Sequence, residues 1–107
     1  VVTRGEIYWA DLPEPDGRRP VCVLTRDAAI AALSRVTCAP ITRTIRGIRS
    51  EVELGQAEGL PESCVASCDN VMTIAQSALD PVAVGRLSEA KRMQLDRALR
   101  YALDIRY

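Results

Sequence analysis

Arg4-Gly5-Glu6-Ile7-Tyr8-Trp9-Ala10-Asp11-Leu12, then, after a short break, Gly17-Arg18-Arg19-Pro20-Val21-Cys22-Val23-Leu24: these two runs decide the fold. Residues 6–12 alternate polar and apolar, as a half-buried strand does. The break, Pro13-Glu14-Pro15-Asp16-Gly17, holds two prolines and a glycine and predicts a turn. Pro20 to Thr25 contains Val-Cys-Val-Leu, a short apolar run typical of a strand buried on both faces. The chain opens as strand, loop, strand.

Further on, Asp27 to Leu33 predicts a brief alanine-rich helix with Asp27 as its cap. Val36 to Thr42 reads as a strand in which Pro40 implies an edge or a bulge. Thr44 to Ser50 is a polar, Arg-rich loop, Glu51 to Leu54 an alternating strand, and Glu58-Gly59-Leu60-Pro61 a turn. Ser63 to Leu79 predicts two strand segments joined by a bend near Asp69-Asn70, and Val82 to Leu87 a short final strand. At the C-terminal end, Leu95, Ala98, Leu99, Ala102, Leu103 and Ile105 fall on one helical stripe, with Ser88 as N-cap. Asp96 with Arg100, and Arg100 with Asp104, are i,i+4 pairs worth about 0.2–0.5 kcal/mol each. The expected class is α+β, mainly β: one domain over residues 1–107, closed by an amphipathic helix.

Composition bounds the core. Of 107 residues 48% are hydrophobic, but Phe is absent and Trp9 is the only large aromatic body beside three tyrosines. The core must come from Val, Ile, Leu and Ala, and small domains with such modest cores often gain from an oligomeric interface. No apolar run approaches the roughly 18–20 residues that span a bilayer, and Val1 to Gly5 lacks the regions of a signal peptide. A cytoplasmic address is expected. Cys22, Cys38, Cys64 and Cys68 are read as free thiols in the core, because there is no histidine and only Cys64 and Cys68 are close.

The net charge is zero, yet residues 18–49 hold seven arginines against the single acid Asp27, a local balance of +6. Thirteen of the fourteen basic residues are Arg, Lys91 being the exception. A GC-rich genome accounts for the total but not for the clustering. The segregation predicts one basic surface on an otherwise acidic body, built from forks that suit phosphate and base edges.

Familiar chemistries are excluded by what is missing. There is no G-x-x-x-x-G-K-S/T, no G-x-G-x-x-G, no H-E-x-x-H and no G-x-S-x-G. Without His there is no Ser-His-Asp or Cys-His pair and no two-histidine ribonuclease site. The acids are scattered singly, so neither a metal site nor a cofactor is expected.

The paired runs R-G-E-I-Y-W-A-D-L (4–12) and G-R-R-P-V-C-V-L (17–24) resemble the N-terminal signature of the MazF/PemK toxin family. A-P-I-T (39–42), E-V-E-L (51–54) and P-E-S-C-V-A-S-C-D-N-V-M-T-I (61–74) follow in the family's order, and so does the closing helix. The resemblance implies an SH3-like barrel of the CcdB/MazF type working as a homodimer and restrained by an antitoxin. It implies cleavage of single-stranded RNA at short sequences, leaving a 2′,3′-cyclic phosphate and a 5′-hydroxyl, and so arrest of translation and growth. The family's essential arginine, directly before proline, matches Arg19, and its essential threonine in the next core strand matches Thr42. Arg18, Arg43, Arg46 and Arg49 are the RNA-contact candidates.

These residue types suit in-line attack by a ribose 2′-hydroxyl. A guanidinium stabilises charge on the phosphoryl oxygens and a hydroxyl adds one directed hydrogen bond. Arginine, with a pKa above about 12, is a poor base, so the proton acceptor stays open; Glu14 and Asp16 read as turn residues. Two features depart from the family. Met72 stands where members often carry Arg, and the short Pro13–Gly17 loop is expected to alter base preference. Cys64 and Cys68 occupy positions where aliphatic residues are common. The alternatives are a gyrase-poisoning toxin of the CcdB type, against which the ending Asp104-Ile105-Arg106-Tyr107 speaks, and a catalytically silent barrel. The presence of both Arg19 and Thr42 speaks against the latter.

Overall fold

The opening runs form the hairpin from which the rest is built. A computed structural model describes residues 1–106; Tyr107, part of the contrast with the gyrase poisons, lies outside the described residues. β1 (Glu6–Asp11) pairs antiparallel with β2 (Arg18–Val23), setting Ile7 opposite Cys22 and Ala10 opposite Arg19. After the short α1 (Asp27–Ile30), β3 (Arg35–Thr42) returns beside β2 with Val21 opposite Pro40. β4 (Glu51–Leu54), β5 (Cys64–Ser67), β6 (Met72–Ala75), the two-residue β7 (Gly85–Arg86) and α2 (Glu89–Ala102) complete the chain. The order β4-β5-β3-β2-β1-β7, with β6 also on β3, curves into a half-barrel. A 3-10 turn at Cys68–Asn70 supplies the bend between β5 and β6.

Period-two alternation sends side chains to two cores. On one face Ile7, Cys22, Ala39, Ile41, Val52 and Leu54 pack with Leu95 and Ala98 of α2. On the other, Tyr8, Ala10, Val21, Val23, Val36 and Cys38 pack with Ile30 of α1. Leu95 is fully buried, worth about 1.5–3 kcal/mol to the fold. All four cysteines are buried free thiols, and burial pushes Cys22 and Cys38 up to about 12 and Cys68 to about 11.

Four expectations need correction. Pro40 lies in the central strand, neither at an edge nor in a bulge: β3 pairs with β6 through Cys38 and with β5 from Ile41. Thr37 turns its carbonyl toward β2, accepting from the Leu24 amide, so by alternation Pro40 faces the gap between β6 and β5, where no donor is needed. Arg26, not Asp27, is the N-cap of α1, and the Asp27 carboxylate accepts from the Arg4 amide at 2.6 Å. The helical stripe stops early. Asp104 takes φ 54° and the Ile105 amide closes on the Arg100 carbonyl, a left-handed helix end that leaves Leu103 and Ile105 56% and 40% exposed. Finally, Asp96 pairs with Arg4 at 3.0 Å and Asp104 with Arg106, in place of the two intrahelical pairs. The Ser88 cap forms as expected, accepting from the Lys91 amide at 3.2 Å.

Candidate active site

The β2–β3 register pairs Val21 with Pro40 and Cys22 with Ala39. Arg19 and Thr42 lie two residues beyond the end of this ladder on their own strands, and by alternation they turn to the same face of the sheet. Arg19 is half-buried at the start of β2, and its Nε is buried without a hydrogen-bond partner. The Thr42 hydroxyl accepts from the Thr44 amide at 3.1 Å, which leaves its own proton free to donate.

Both residues line two clefts, one on each side of the strand ends. A polar cleft of about 640 Å³ adds Asp16, Thr44, Arg46, Glu51, Ser67, Asp69 and Asn70. Glu51 in it accepts from the Arg46 and Gly47 amides at 3.0 Å each, tying the 43–49 loop, and Asp69 accepts from Ser50. Met72 lines this cleft too. A second cleft of about 460 Å³ is walled by Trp9, Pro20, Ile41, Leu60 and Pro61, with Arg43 and Glu62 at its rim.

The arginines of residues 18–49 do not form one basic surface. Arg18 is held by Asp80 and by Asp11, bonds that push its pKa up, and lies over the Trp9 ring. Arg43 pairs with Glu62 at 2.7 Å. Arg49 stacks on Tyr101, 4.4 Å from the ring centre, and lines neither cleft. Arg26 and Arg35 line an apolar groove elsewhere. Of the four RNA-contact candidates, Arg46 alone faces the polar cleft without an ion-pair or ring partner among the described residues.

A family model described as PemK-like, MazF-like toxin of type II toxin-antitoxin system matches residues 3–103. The chain belongs to this family. It is 40% identical over 102 residues to the probable endoribonuclease MazF5 of Mycobacterium tuberculosis, covering 94% of this chain and 92% of that protein. In structure it resembles the M. tuberculosis toxin MazF-mt6, with a TM-score of 0.87 and 37% identity over 95% of this chain and 99% of that one. A mycobacterial endoribonuclease solved in complex with its cognate antitoxin matches with TM-score 0.88 and 25% identity, over 100% and 99% of the two chains. The barrel with a C-terminal helix is therefore the MazF fold, and the gyrase-poisoning alternative is not favoured.

Residue patterns missed part of this candidate site. Ser67, Asp69 and Asn70 enter the polar cleft through the bend after β5, and Trp9 and Glu62 meet only because distant segments converge. A bend between strands was the only sequence signal for the first group. Among the described residues, no three Cys, Asp or Glu side chains converge as a metal-binding set, and no helix is long and apolar enough to cross a membrane.

Proposed function

We infer that this toxin is an endoribonuclease that cuts single-stranded RNA at short sequences, with Arg19 and Thr42 at the scissile phosphate. The 2′-hydroxyl gives up its proton as its oxygen forms the new bond to phosphorus, the bond to the 5′-oxygen breaks, and that leaving oxygen takes up a proton, so the step is proton-neutral overall. The products are a 2′,3′-cyclic phosphate and a 5′-hydroxyl. One observation carries this reading. A buried Arg19 Nε with no partner among the described residues lines the same two clefts as a Thr42 hydroxyl that accepts from the Thr44 amide and keeps its own proton to donate. Fixed donors of this kind stabilise charge as it develops on phosphoryl oxygens without reorganising.

Arg46 is the proposed backbone contact. Arg18, Arg43 and Arg49 are already engaged by Asp80, Glu62 and Tyr101, so each contributes less to holding the RNA backbone. We place the toxin, as one domain, in the cytoplasm as a homodimer under a cognate antitoxin. The antitoxin complex of the mycobacterial relative supports the antitoxin, and an exposed apolar groove lined by Leu33, Val71 and Leu103 is a surface suited to a protein partner. The decisive experiment incubates purified protein with a mixed RNA pool in excess EDTA and maps the new ends. Cleavage leaving 5′-hydroxyl ends is expected; activity that vanishes with chelator and returns with magnesium refutes the mechanism.

A further inference from the structure

Arg19 and Thr42 line two clefts, one mainly polar and one in which apolar rings and polar groups mix, and a single phosphate at that edge has a nucleotide on either side. Alternation along β1, β2 and β3 puts Trp9, Pro20 and Ile41 on one face of the sheet and Arg19, Pro40 and Thr42 on the other. RNA crossing the strand ends therefore drops one flanking base toward the polar cleft and the other toward the Trp9 cleft. The Trp9 side offers stacking surface, a half-buried indole, two proline rings and Leu60, with Arg18 lying over one face of the indole and polar groups along the rest of the wall.

Its far wall starts from a close backbone contact. Gly59, at φ 86°, lies so close to the Val84 backbone that a Cβ would collide, and a Cβ on Gly85 would strike the Glu58 carbonyl. Leu60 follows directly and is buried, while Pro61 and Glu62 are exposed. Glu62 is an exposed carboxylate held by Arg43, so the rim presents an acceptor and a row of donors side by side. Base edges are read by such pairs.

We propose that the cleft walled by Trp9, Pro20, Leu60 and Pro61 is a nucleobase subsite beside the scissile phosphate, and that Glu62, held by Arg43, selects the base that enters it. The proposal rests on the RNA-cleaving reading above.

Trp9 is the only tryptophan, so its fluorescence reports occupancy of its own cleft. RNA carrying the mapped cleavage sequence with a 2′-deoxyribose at the cut is titrated into wild-type and Arg19→Ala protein. Quenching is expected in both, and an abasic site at one of the two nucleotides flanking the cut removes it. No quenching with intact RNA, or quenching indifferent to abasic sites at both positions, overturns the subsite. End mapping on a random pool then tests Glu62. Glu62→Gln is expected to shift base preference about tenfold at that same nucleotide, with the other positions retained. Trp9→Leu flattens preference there and Trp9→Phe restores it. An unchanged preference, a change spread over several positions, or loss of all cleavage by a folded Glu62→Gln protein removes Glu62 from base selection. If wild-type protein cuts no RNA, the underlying reading fails instead. Titration with random-sequence single-stranded RNA then judges the cleft separately: quenching keeps it as a base site and its absence overturns it.

Discussion

The strand ends of β2–β3 and the loop at residues 43–49 are both rich in polar groups, yet they place those groups by different means. Arg19 and Thr42 are placed by the strands that carry them, and neither makes an ion pair among the described residues. The loop arginines are located by whatever they meet: Arg43 by Glu62 and Arg49 by Tyr101, while Arg46 meets neither. Charge stabilisation in a transition state needs donors fixed before reaction, whereas backbone tracking tolerates mobile ones. The two regions should therefore fail differently when altered.

The largest effect is expected at Arg19. Arg19→Ala should lower single-turnover cleavage at saturating RNA by about 10²–10³-fold or more, the cost of one fixed donor. Its thermal midpoint should barely move, since the group has no partner to lose. Arg19→Lys should fail nearly as badly, because an ammonium cannot reproduce the planar fork. Full activity in either variant would break the distinction between strand and loop. Thr42 should follow at a lower level: Thr42→Val costs about 10²-fold in the same measurement, and Thr42→Ser, which keeps the hydroxyl, restores most of it.

The strand-borne half of this comparison was legible in sequence, and the loop half was not. Arg19-Pro20 and Thr42 sit in runs whose period fixes which way each side chain turns, so family resemblance carried the two residues to one place. The clustering of arginine between residues 18 and 49 promised a basic surface, but charge density along a chain says nothing about which carboxylates fold back. Asp80 and Glu62, both distant in sequence, hold Arg18 and Arg43. Pro40 misled for a related reason: its missing donor matters only if a partner faces it, and the exchange of β6 for β5 along one strand is a tertiary fact. The end of α2 was overrun because apolar periodicity continued through Leu103 and Ile105, while the chain had already turned at Asp104.

Within the loop the comparison sharpens. Arg46→Ala should weaken RNA binding and make the log–log salt dependence shallower by about 0.7, one phosphate contact on a single strand. Arg43→Ala should change that slope less, because removing it also frees Glu62. Binding of a non-cleavable RNA across several salt concentrations separates them, and equal slopes for Arg43→Ala, Arg46→Ala, Arg49→Ala and wild type would detach the loop from RNA.

Arg49 should show the smallest effect, and it tests the idea from the other side. Its guanidinium lies 4.4 Å from the centre of the Tyr101 ring, on the last turns of α2, and it lines neither cleft. A cation over an aromatic face at an exposed site is worth about 0.5–1 kcal/mol. Arg49→Ala should therefore lower the unfolding free energy by about that amount in a urea titration, while the salt slope of RNA binding moves less than in Arg46→Ala. Tyr101→Leu should reproduce the loss, and adding it to Arg49→Ala should cost little more, since each change removes the same contact. Additive losses in the double variant would mean that the stacked pair contributes nothing. A salt slope that falls by as much as in Arg46→Ala would mean that Arg49 leaves Tyr101 for the RNA backbone, and the loop would then act through mobile charge at both residues.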